Sequence, residues 1–398
     1  MKNLTKFFKI LGFLWLALIF YFIGYFVGHK NLEFDQNYQP KITNTSLGQP
    51  KEVDFSIFWD AWQAISEKYV GEYSTENMIY GAIQGMVDSL GDPYSVFLKP
   101  GENQMFLDDL SGKIEGIGAE LSIKEGQLIV IAPLGDSPAQ KAGLKAQDKI
   151  LKINDEDTAE LSLDGAVSKI RGPSGTTVKL LIDRQGFTSP QEFSIKRETI
   201  IIKSVEWEQK ESVGYIKISQ FGDDTRKLAQ EAAGELAKRN LTGVVIDLRN
   251  NPGGYLDASI DVASLFMDGG VVVKEVDRSG KEEVLEATLE GKLIKEKIVI
   301  LINNGSASAS EIVAGALKDN RQAVLIGEKT FGKGSVQELE NLAKGSALKL
   351  TVARWLTPSG RTIDQEGISP DIEVGLSNED EQAGRDPQLE QALKEAIK

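Results

Sequence analysis

Side chains able to do chemistry are concentrated in three short loops that are rich in Gly, Ser and Asn. Their sequences are NNPGG at 250–254, NNGSAS at 303–308 and EKTFGKG at 328–334. Ser308 opens a predicted helix, whose free N–H groups and dipole would stabilise a developing oxyanion. Lys333 lies between two glycines, and a lysine that becomes buried loses proton affinity because its charge is desolvated. These loops could therefore support a serine nucleophile with a neutral lysine base.

Purely structural roles also explain these two residues. Ser308 and Glu311 have the spacing of a helix capping box, which alone accounts for the serine. Lys333 fits an ordinary surface lysine in a glycine loop. Local signals on their own favour these structural roles, because short motifs often match by chance.

The composition excludes most other catalytic devices. The chain has 398 residues with no Cys and one His, His29, so it offers no thiol nucleophile, no Cys-ligated zinc and no histidine pair for a zinc-protease motif. We expect no metal and no cofactor. The net charge of −14, with no basic stripe in the sequence, argues against a nucleic-acid partner.

Two further motifs come close to known patterns but do not complete them. Gly327 to Lys333 has the spacing of a phosphate-binding P-loop, but Gly334 stands where Ser or Thr must hold Mg²⁺, and no helix is predicted to follow. Ser346 and Lys349 form an S-x-x-K match that lies inside an alternating strand pattern and lacks its companion motifs. Nucleotide binding is therefore a weak alternative.

Alternating strands and helices from about residue 213 must position the three loops. This alternation predicts a sheet of parallel strands with crossover helices. The strands GVVIDLR, KIVILIN and AVLIG each run directly into one of the loops. Because ligand sites in such folds lie beyond the carboxyl ends of the strands, we expect the three loops to converge on one site.

The N-terminus carries an uncharged apolar stretch at 10–28 that is long enough to cross a bilayer as a helix. Lys2, Lys6 and Lys9 precede it, which favours a cytoplasmic N-terminus with the rest of the chain outside. A cleaved signal peptide is the alternative, but no small-x-small cleavage site follows. His29 would then lie at the membrane interface, so a histidine triad is not expected.

Six segments are predicted along the chain. Phe55, Phe58, Trp59 and Trp62 recur at helical spacing, and we interpret this aromatic stripe as core packing. The segments are an N-terminal membrane anchor (1–30), a polar linker (31–53), a helical region (54–101), a compact α+β module of short strands and two short helices (102–198), an α/β core (199–376) and a C-terminal helical tail (377–398).

Several long segments resemble the C-terminal processing peptidases, also called tail-specific proteases. They are SLGDPYSVFL (89–98), VVIDLRNNPGG (244–254), NNGSASASEIVAGALKDN (303–320), GEKTFGKGSVQ (327–337) and GSALKLTVARWLTPSGRTID (345–364). The resemblance extends from about residue 54 to the C-terminus. It implies an α/β crotonase-like (ClpP-like) peptidase core with an inserted PDZ domain, which falls on residues 102–198.

The resemblance also assigns roles to individual residues. Ser308 matches the nucleophile, Lys333 the general base and Gln337 the glutamine that positions the lysine. The backbone N–H groups implied for the oxyanion hole are those of Ala309 and Gly254, with Gly253 as the alternative to Gly254. The carboxylate-binding loop implied for the PDZ domain is Gly116, Ile117, Gly118 and Ala119.

The implied function is a membrane-anchored serine endopeptidase that cleaves polypeptides near their C-termini, with its catalytic part outside the cell membrane. Its partners would be polypeptides with accessible, unstructured C-termini. A homo-oligomer or an activating adaptor is left open. The rival interpretation is a membrane-tethered PDZ adaptor with an inactive or closed peptidase core. The intact Ser308, Lys333 and NNPGG argue against a degenerate core.

Overall fold

The computed structural model describes residues 12–22, 24–25, 32–34, 40–42, 53–124, 126–288, 290–377, 379–380 and 383–398. The chain divides into two compact units, 1–78 and 79–398. The main helices are α1 (residues 12–22 and 24–25), α2 (Ser56–Lys68), α3 (Thr75–Asp88), α4 (Pro100–Leu110), α5 (Pro138–Lys141), α6 (Leu163–Ile170), α7 (Thr225–Leu236), α8 (Leu256–Ser264), α9 (Ala309–Arg321) and α10 (Pro387–Ala396).

The strands are short in the first half of the chain and longer in the second. They are β1 (Leu32–Phe34), β2 (Pro40–Ile42), β3 (Val96–Leu98), β4 (Lys113–Gly116), β5 (Ala119–Lys124), β6 (Gln127–Pro133), β7 (Lys149–Ile153), β8 (Glu156–Asp157), β9 (Thr177–Asp183), β10 (Gln191–Lys196), β11 (Glu198–Ile201), β12 (Val205–Lys210), β13 (Val213–Ile218), β14 (Gly243–Asp247), β15 (Val271–Asp277), β16 (Glu282–Glu286), β17 (Lys297–Ile302), β18 (Val324–Gly327), β19 (Ser335–Asn341), β20 (Ala347–Leu356) and β21 (Ile372–Glu373).

The first unit contains α1, the antiparallel pair β1–β2, α2 and the start of α3. Among the described residues, none of the helices has the length and apolar character that a membrane span requires. Much of the predicted anchor, including His29, lies outside the described residues, as does most of the predicted linker.

The prediction that the aromatic stripe of α2 packs into a core is wrong. No residue of α2 is buried, and the Trp59 side chain is 59% exposed. The rings contact one another instead, with Phe58 5.0 Å from Trp59 and 6.0 Å from Trp62 between centroids. The helical period identified an amphipathic helix correctly, but a period does not identify what covers the apolar face.

A separate small sheet with its own core occupies the region from β4 to β11. Its strand order is β10-β9-β7-β6-β5, with β8 paired to β7, and all pairings are antiparallel. The helices α5 and α6 are capped at their N-termini by Ser137 and Ser162, whose hydroxyls accept hydrogen bonds from the first turn. The strands β4 and β11, which lead into and out of this module, pair with each other. The helix α4 and the strand β11 run across the predicted limits at 102 and 198.

The second half of the chain is built on a mostly parallel sheet, as the sequence predicted. Its order is β12-β13-β14-β17-β18-β21, and every pairing except β12–β13 is parallel. Successive residues of β14 face opposite cores: Val244 and Ile246 pack with the helices α7 to α9, and Val245 packs with α10. Both faces of the sheet are covered, which explains the continuous apolar run of this strand.

A second, antiparallel sheet brings the segment before the small module close to the 328–334 loop. Its order is β16-β15-β20-β19, and β3 pairs with β20 through Leu98 and Ala347. The strand β19 directly follows the 328–334 loop. This sheet therefore positions the lysine loop from one side, and the parallel sheet positions the other two loops.

Arg249 ties the C-terminal helix α10 to the parallel sheet. Its guanidinium donates to Asp247 at 2.6 Å, to both oxygens of Asp386 at 2.9 Å and to Gln388 at 3.0 Å. Asp247 also accepts a hydrogen bond of 2.8 Å from the Tyr215 hydroxyl. The Arg249 and Asp247 side chains are only 13% and 3% exposed, so this ion pair is largely withdrawn from water.

The substitution Arg249→Ala should lower the stability of the α/β core by about 3 kcal/mol, because it leaves the Asp247 carboxylate buried without its cation. The midpoint of denaturant unfolding, followed by circular dichroism on the full chain, measures this change. Arg385→Ala is the matched control, since Arg385 pairs with Asp380 at the surface and is 58% exposed. Equal midpoints for the two variants would contradict this role of Arg249.

Candidate active site

The three loops at the strand ends converge, as predicted from the α/β alternation. Asn250 and Asn303 join the first two loops, with the Asn250 N–H donating to Asn303 Oδ1 at 2.9 Å and Asn303 Nδ2 donating to Asn250 Oδ1 at 2.8 Å. The Phe331 N–H donates to the Ser306 carbonyl at 3.0 Å, which joins the third loop to the second. All three loops therefore border one site beyond the parallel sheet.

A single buried carboxylate holds the serine loop and the lysine loop together. Glu311 has no exposed surface and accepts four hydrogen bonds. Its Oε2 accepts from the Ser308 N–H at 2.9 Å and the Lys333 N–H at 3.0 Å. Its Oε1 accepts from the Thr330 hydroxyl at 2.5 Å and the Gly332 N–H at 2.7 Å. Burial raises the pKa of Glu311, and these four donors oppose that rise.

Ser308 is half-buried and has a strained backbone at the start of α9. Its φ of 53° and ψ of −115° are unusual for a residue with a Cβ and cost about 1–3 kcal/mol. The strain is maintained by the Glu311 contact and by close packing against Gly253, where an added methyl would lie 2.9 Å from the Ser308 Cβ. Backbone strain of this kind is concentrated at functional sites.

Two backbone N–H groups of this region lack an acceptor within the described part of the chain. They belong to Ala309, at the first position of α9, and to Gly254. The N–H of Gly253 is different, because it donates to Asn251 Oδ1 at 2.9 Å. As whole residues, Gly253 is buried and Gly254 is exposed, and the choice between them for the oxyanion hole stays a prediction.

The Lys333 side chain is half-buried and lies over an aromatic ring. Its Nζ is 5.2 Å from the centroid of Tyr94, a distance typical of a cation–π contact. Burial and the nearby Lys349 charge lower the pKa of Lys333 to about 8, against the opposing effect of Asp92 and Glu311. Among the described residues, Lys333 Nζ makes no hydrogen bond, and none joins it to Ser308.

Within the described residues, no hydrogen bond joins the Gln337 side chain to Lys333. Its Nε2 donates to Ser335 Oγ at 2.8 Å and to Thr351 Oγ1 at 3.3 Å. Its predicted role in positioning the lysine stays a prediction.

Sequence reasoning did not anticipate the side chains that surround Lys333. Tyr94 lies in GDPYS, a segment whose sequence indicates only the family resemblance. Lys349 belongs to the incomplete S-x-x-K match, which predicts no role for it. Glu311 was noted only as a capping residue. The capping-box spacing from Ser308 is the sequence feature that could have pointed to Glu311. The alternating pattern of β20 is the feature that could have pointed to Lys349.

The predicted carboxylate-binding loop connects β4 and β5 in the small module. Gly116, Ile117 and Gly118 are buried, and Ala119 is half-buried. The Ile117 and Gly118 carbonyls accept hydrogen bonds from Ala139 and Leu134 at 2.7 and 2.9 Å. Within the described residues, no acceptor is bound to the Ile117 and Gly118 N–H groups. The following strand, β5, forms an edge of its sheet.

A pocket of about 410 Å³ opens beside the Gly254 turn. The Tyr255 side chain lines it, and burial and the nearby Asp223 carboxylate raise the pKa of Tyr255. In the described part of the chain, no group of three or more His, Asp or Glu side chains is arranged to hold a metal ion. The pocket is lined by Gly222, Asp223, Arg226, Tyr255, Leu256, Asp257, Ala258 and Asp261.

Three family models match successive parts of the chain. Peptidase family S41 matches residues 212–374, which contain all three loops. The PDZ domain matches 109–183, within the small module. The activating protease CtpB N-terminal domain matches 18–100.

Individual proteins agree with these matches. The carboxy-terminal processing proteases CtpA and CtpB of Bacillus subtilis (strain 168) are 39% identical over 318 residues and 37% identical over 364 residues. The alignments cover 79% and 90% of this chain, and 68% and 76% of the two relatives.

Solved structures show the same architecture. The photosystem II D1 C-terminal processing protease is 29% identical with a TM-score of 0.54, covering 80% of this chain and 86% of its own. A putative S41 protease from Bacteroides fragilis has a TM-score of 0.55 over 93% of this chain and 95% of its own, and at 17% identity it shows the fold alone. The fold, the PDZ domain and the extent of identity together establish that the chain belongs to the carboxy-terminal processing serine proteases of peptidase family S41.

Proposed function

We propose that this protein is a membrane-anchored serine endopeptidase that cleaves polypeptides near their C-termini with a Ser308/Lys333 dyad. One observation supports the dyad: Glu311 Oε2 accepts hydrogen bonds from the backbone N–H groups of both Ser308 and Lys333. Their backbones therefore lie within two hydrogen-bond lengths of each other. The lowered pKa of Lys333, about 8, adds a base that is partly neutral near physiological pH.

The proposed chemistry is acyl transfer. Neutral Lys333 accepts the Ser308 hydroxyl proton as the oxygen attacks the substrate carbonyl. The N–H groups of Ala309 and Gly254 donate to the tetrahedral oxyanion. As the C–N bond breaks, Lys333 returns the proton to the leaving amine, and an acyl-enzyme remains. Water then attacks the ester, with Lys333 taking its proton and passing it back to Ser308.

The position of Lys333 over Tyr94 represents a resting arrangement in this proposal. A protonated amine is attracted to the ring face, and this attraction is lost when the amine becomes neutral. The neutral amine can then turn toward Ser308. Gln337 would hold it there by exchanging its present contacts with Ser335 and Thr351. The core is proposed to be crotonase-like (ClpP-like), which agrees with the covered parallel sheet and its crossover helices.

The PDZ domain is proposed to bind the C-terminal tail of the substrate. A terminal carboxylate would accept from the Ile117 and Gly118 N–H groups of the loop formed by residues 116–119. The preceding residues of the tail would then add to the sheet edge as a strand along β5, which pairs with β6 and with no other strand in the described part of the chain. An unstructured C-terminus is the substrate feature that such strand addition requires.

The membrane anchor is proposed from the sequence. The uncharged stretch at 10–28 has the length of a single span, and the three preceding lysines favour a cytoplasmic N-terminus. The catalytic part would then act outside the cell membrane. A second copy of the chain or an activating adaptor is compatible with a resting arrangement that must be rearranged before catalysis.

The variants Ser308→Ala and Lys333→Met should each reduce cleavage of an unstructured polypeptide by at least about 1,000-fold, because each removes one member of an interdependent pair. Truncated product is measured by mass spectrometry with the full chain in detergent. Lys329→Met is the control, since Lys329 is an exposed lysine in the same loop and should leave the rate unchanged. Substantial activity in either dyad variant would refute the dyad. Wild-type protein that binds the substrate without cleaving it would favour the adaptor.

The variant Glu311→Gln should lower kcat by about 100-fold with little change in KM, because an amide NH₂ would face N–H groups that now donate to a carboxylate oxygen. Steady-state kinetics on the same substrate measure the two constants. Glu328→Gln, at the start of the 328–334 loop, is the control and should retain wild-type kcat. An unchanged kcat in Glu311→Gln would show that the shared carboxylate does not position the dyad.

Amidation of the substrate C-terminus should reduce kcat/KM by about tenfold, because it removes the charge that the PDZ loop is proposed to capture. The variant Gly118→Ala should abolish the difference between free and amidated substrates, since the added methyl would lie 2.5 Å from the Ser137 Cβ. Gly135→Ala, where a methyl meets nothing within 4 Å, should preserve the difference. Equal rates for both substrates in the wild-type protein would count against tail recognition.

A further inference from the structure

Lys349 is a half-buried lysine that the acyl-transfer chemistry does not use. It lies in β20, and its Nζ is 5.5 Å from the centroid of the Phe106 ring. Within the described residues it forms no salt bridge, although lysines are seldom withdrawn from water without an ionic partner. Such a placement costs free energy, which suggests that its charge has a use.

The strand register shows which residues share a sheet face with Lys349. The strand β20, which carries Lys349, pairs with β19, and β19 directly follows the lysine loop. Lys349 lies opposite Leu339 of β19, and Thr351 lies opposite Gln337. Residues two apart in a strand point to the same face, so Lys349, Thr351 and Gln337 share it. The strand β3 pairs on the other side of β20, with Val96 opposite Lys349.

The segment before β3 contacts Lys333 and contributes a carboxylate, Asp92, that acts electrostatically on both lysines. The Tyr94 ring lies under Lys333 Nζ. Asp92 accepts a hydrogen bond of 2.6 Å from Ser95 Oγ, which in turn accepts one of 3.0 Å from the Thr351 N–H. These contacts fix the Asp92 carboxylate close to the Lys349 face of the sheet.

The charged groups around the two amines act in opposite directions. Asp92 and Glu311 favour a proton on Lys333, whereas burial and Lys349 disfavour it. Lys349 itself faces Asp92, and burial lowers the pKa of Lys349 despite that carboxylate. Hydrogen bonds from Ser95 and Thr351 outweigh the effect of burial and keep the pKa of Asp92 below its usual value, so this carboxylate is charged.

We propose that Lys349 is a positioning residue for the general base: its positive charge opposes the negative charge of Asp92 and disfavours the protonated, ammonium form of Lys333. Lys333 is thereby kept able to accept the Ser308 proton. Without Lys349, Asp92 and Glu311 would act on Lys333 unopposed by any nearby cation that the structure describes. The proposal rests on the Ser308/Lys333 dyad proposed above.

The test is the pH dependence of kcat/KM for the full chain in detergent, with an unstructured polypeptide as substrate. The wild-type rate should rise with pH through a limb near pH 8, because the base must be neutral. The variant Lys349→Met should move this limb upward by about half a pH unit or more, a loss of about threefold below the limb. At pH values above the limb its rate should return to that of the wild type.

Two further variants separate charge from packing. Lys349→Arg keeps the positive charge and should leave the limb in place. Asp92→Asn removes the opposing charge and should move the limb downward, which provides an independent test if Lys349→Met folds poorly. An unmoved limb in both Lys349→Met and Asp92→Asn, or a pH-independent loss in Lys349→Met, overturns the proposal. Activity in Lys333→Met would instead overturn the dyad itself.

Discussion

The Glu311 carboxylate is the contact on which the arrangement of the site depends. A carboxylate with no exposed surface is costly unless donors replace its water, and here four donors do so. These donors come from the start of α9 and from the 328–334 loop, whose sequences are separated by a full helix and a strand. Desolvation therefore forces the two loops to close on the same carboxylate, and this closure sets Ser308 beside Lys333.

The same contact opposes the proposed role of Lys333 as a base. A negative charge beside Lys333 favours the protonated amine, which cannot act as a base. Burial of the amine and the Lys349 charge oppose this effect, and the pKa of Lys333 settles at about 8, below its usual value of 10.5. In the proposed mechanism, a chain whose one histidine, His29, lies near the N-terminus uses a lysine as the base for the serine.

Sequence reasoning predicted the features that depend on periodicity and chain order. The parallel strands and the meeting of their three loops followed from strand–helix alternation, because the connection rules of such sheets leave few arrangements. Contacts between distant segments could not be predicted in this way. Tyr94 reaches Lys333 from a segment more than 200 residues earlier, and the exposed stripe of α2 has a helical period that is indistinguishable from that of a core helix.

The NNPGG turn is held in place by one buried side-chain amide, that of Asn251. Asn251 has no exposed surface, and its Nδ2 donates to the Ile218 carbonyl at 2.8 Å while its Oδ1 accepts the Gly253 N–H. Its carbonyl accepts from the Ala307 N–H and from the Ser310 hydroxyl. The turn is thus fixed to the sheet and to α9 together. The Gly253 N–H donates to this amide, whereas the Gly254 N–H has no acceptor among the described residues, and this difference is the reason for choosing Gly254, with Ala309, for the proposed oxyanion hole.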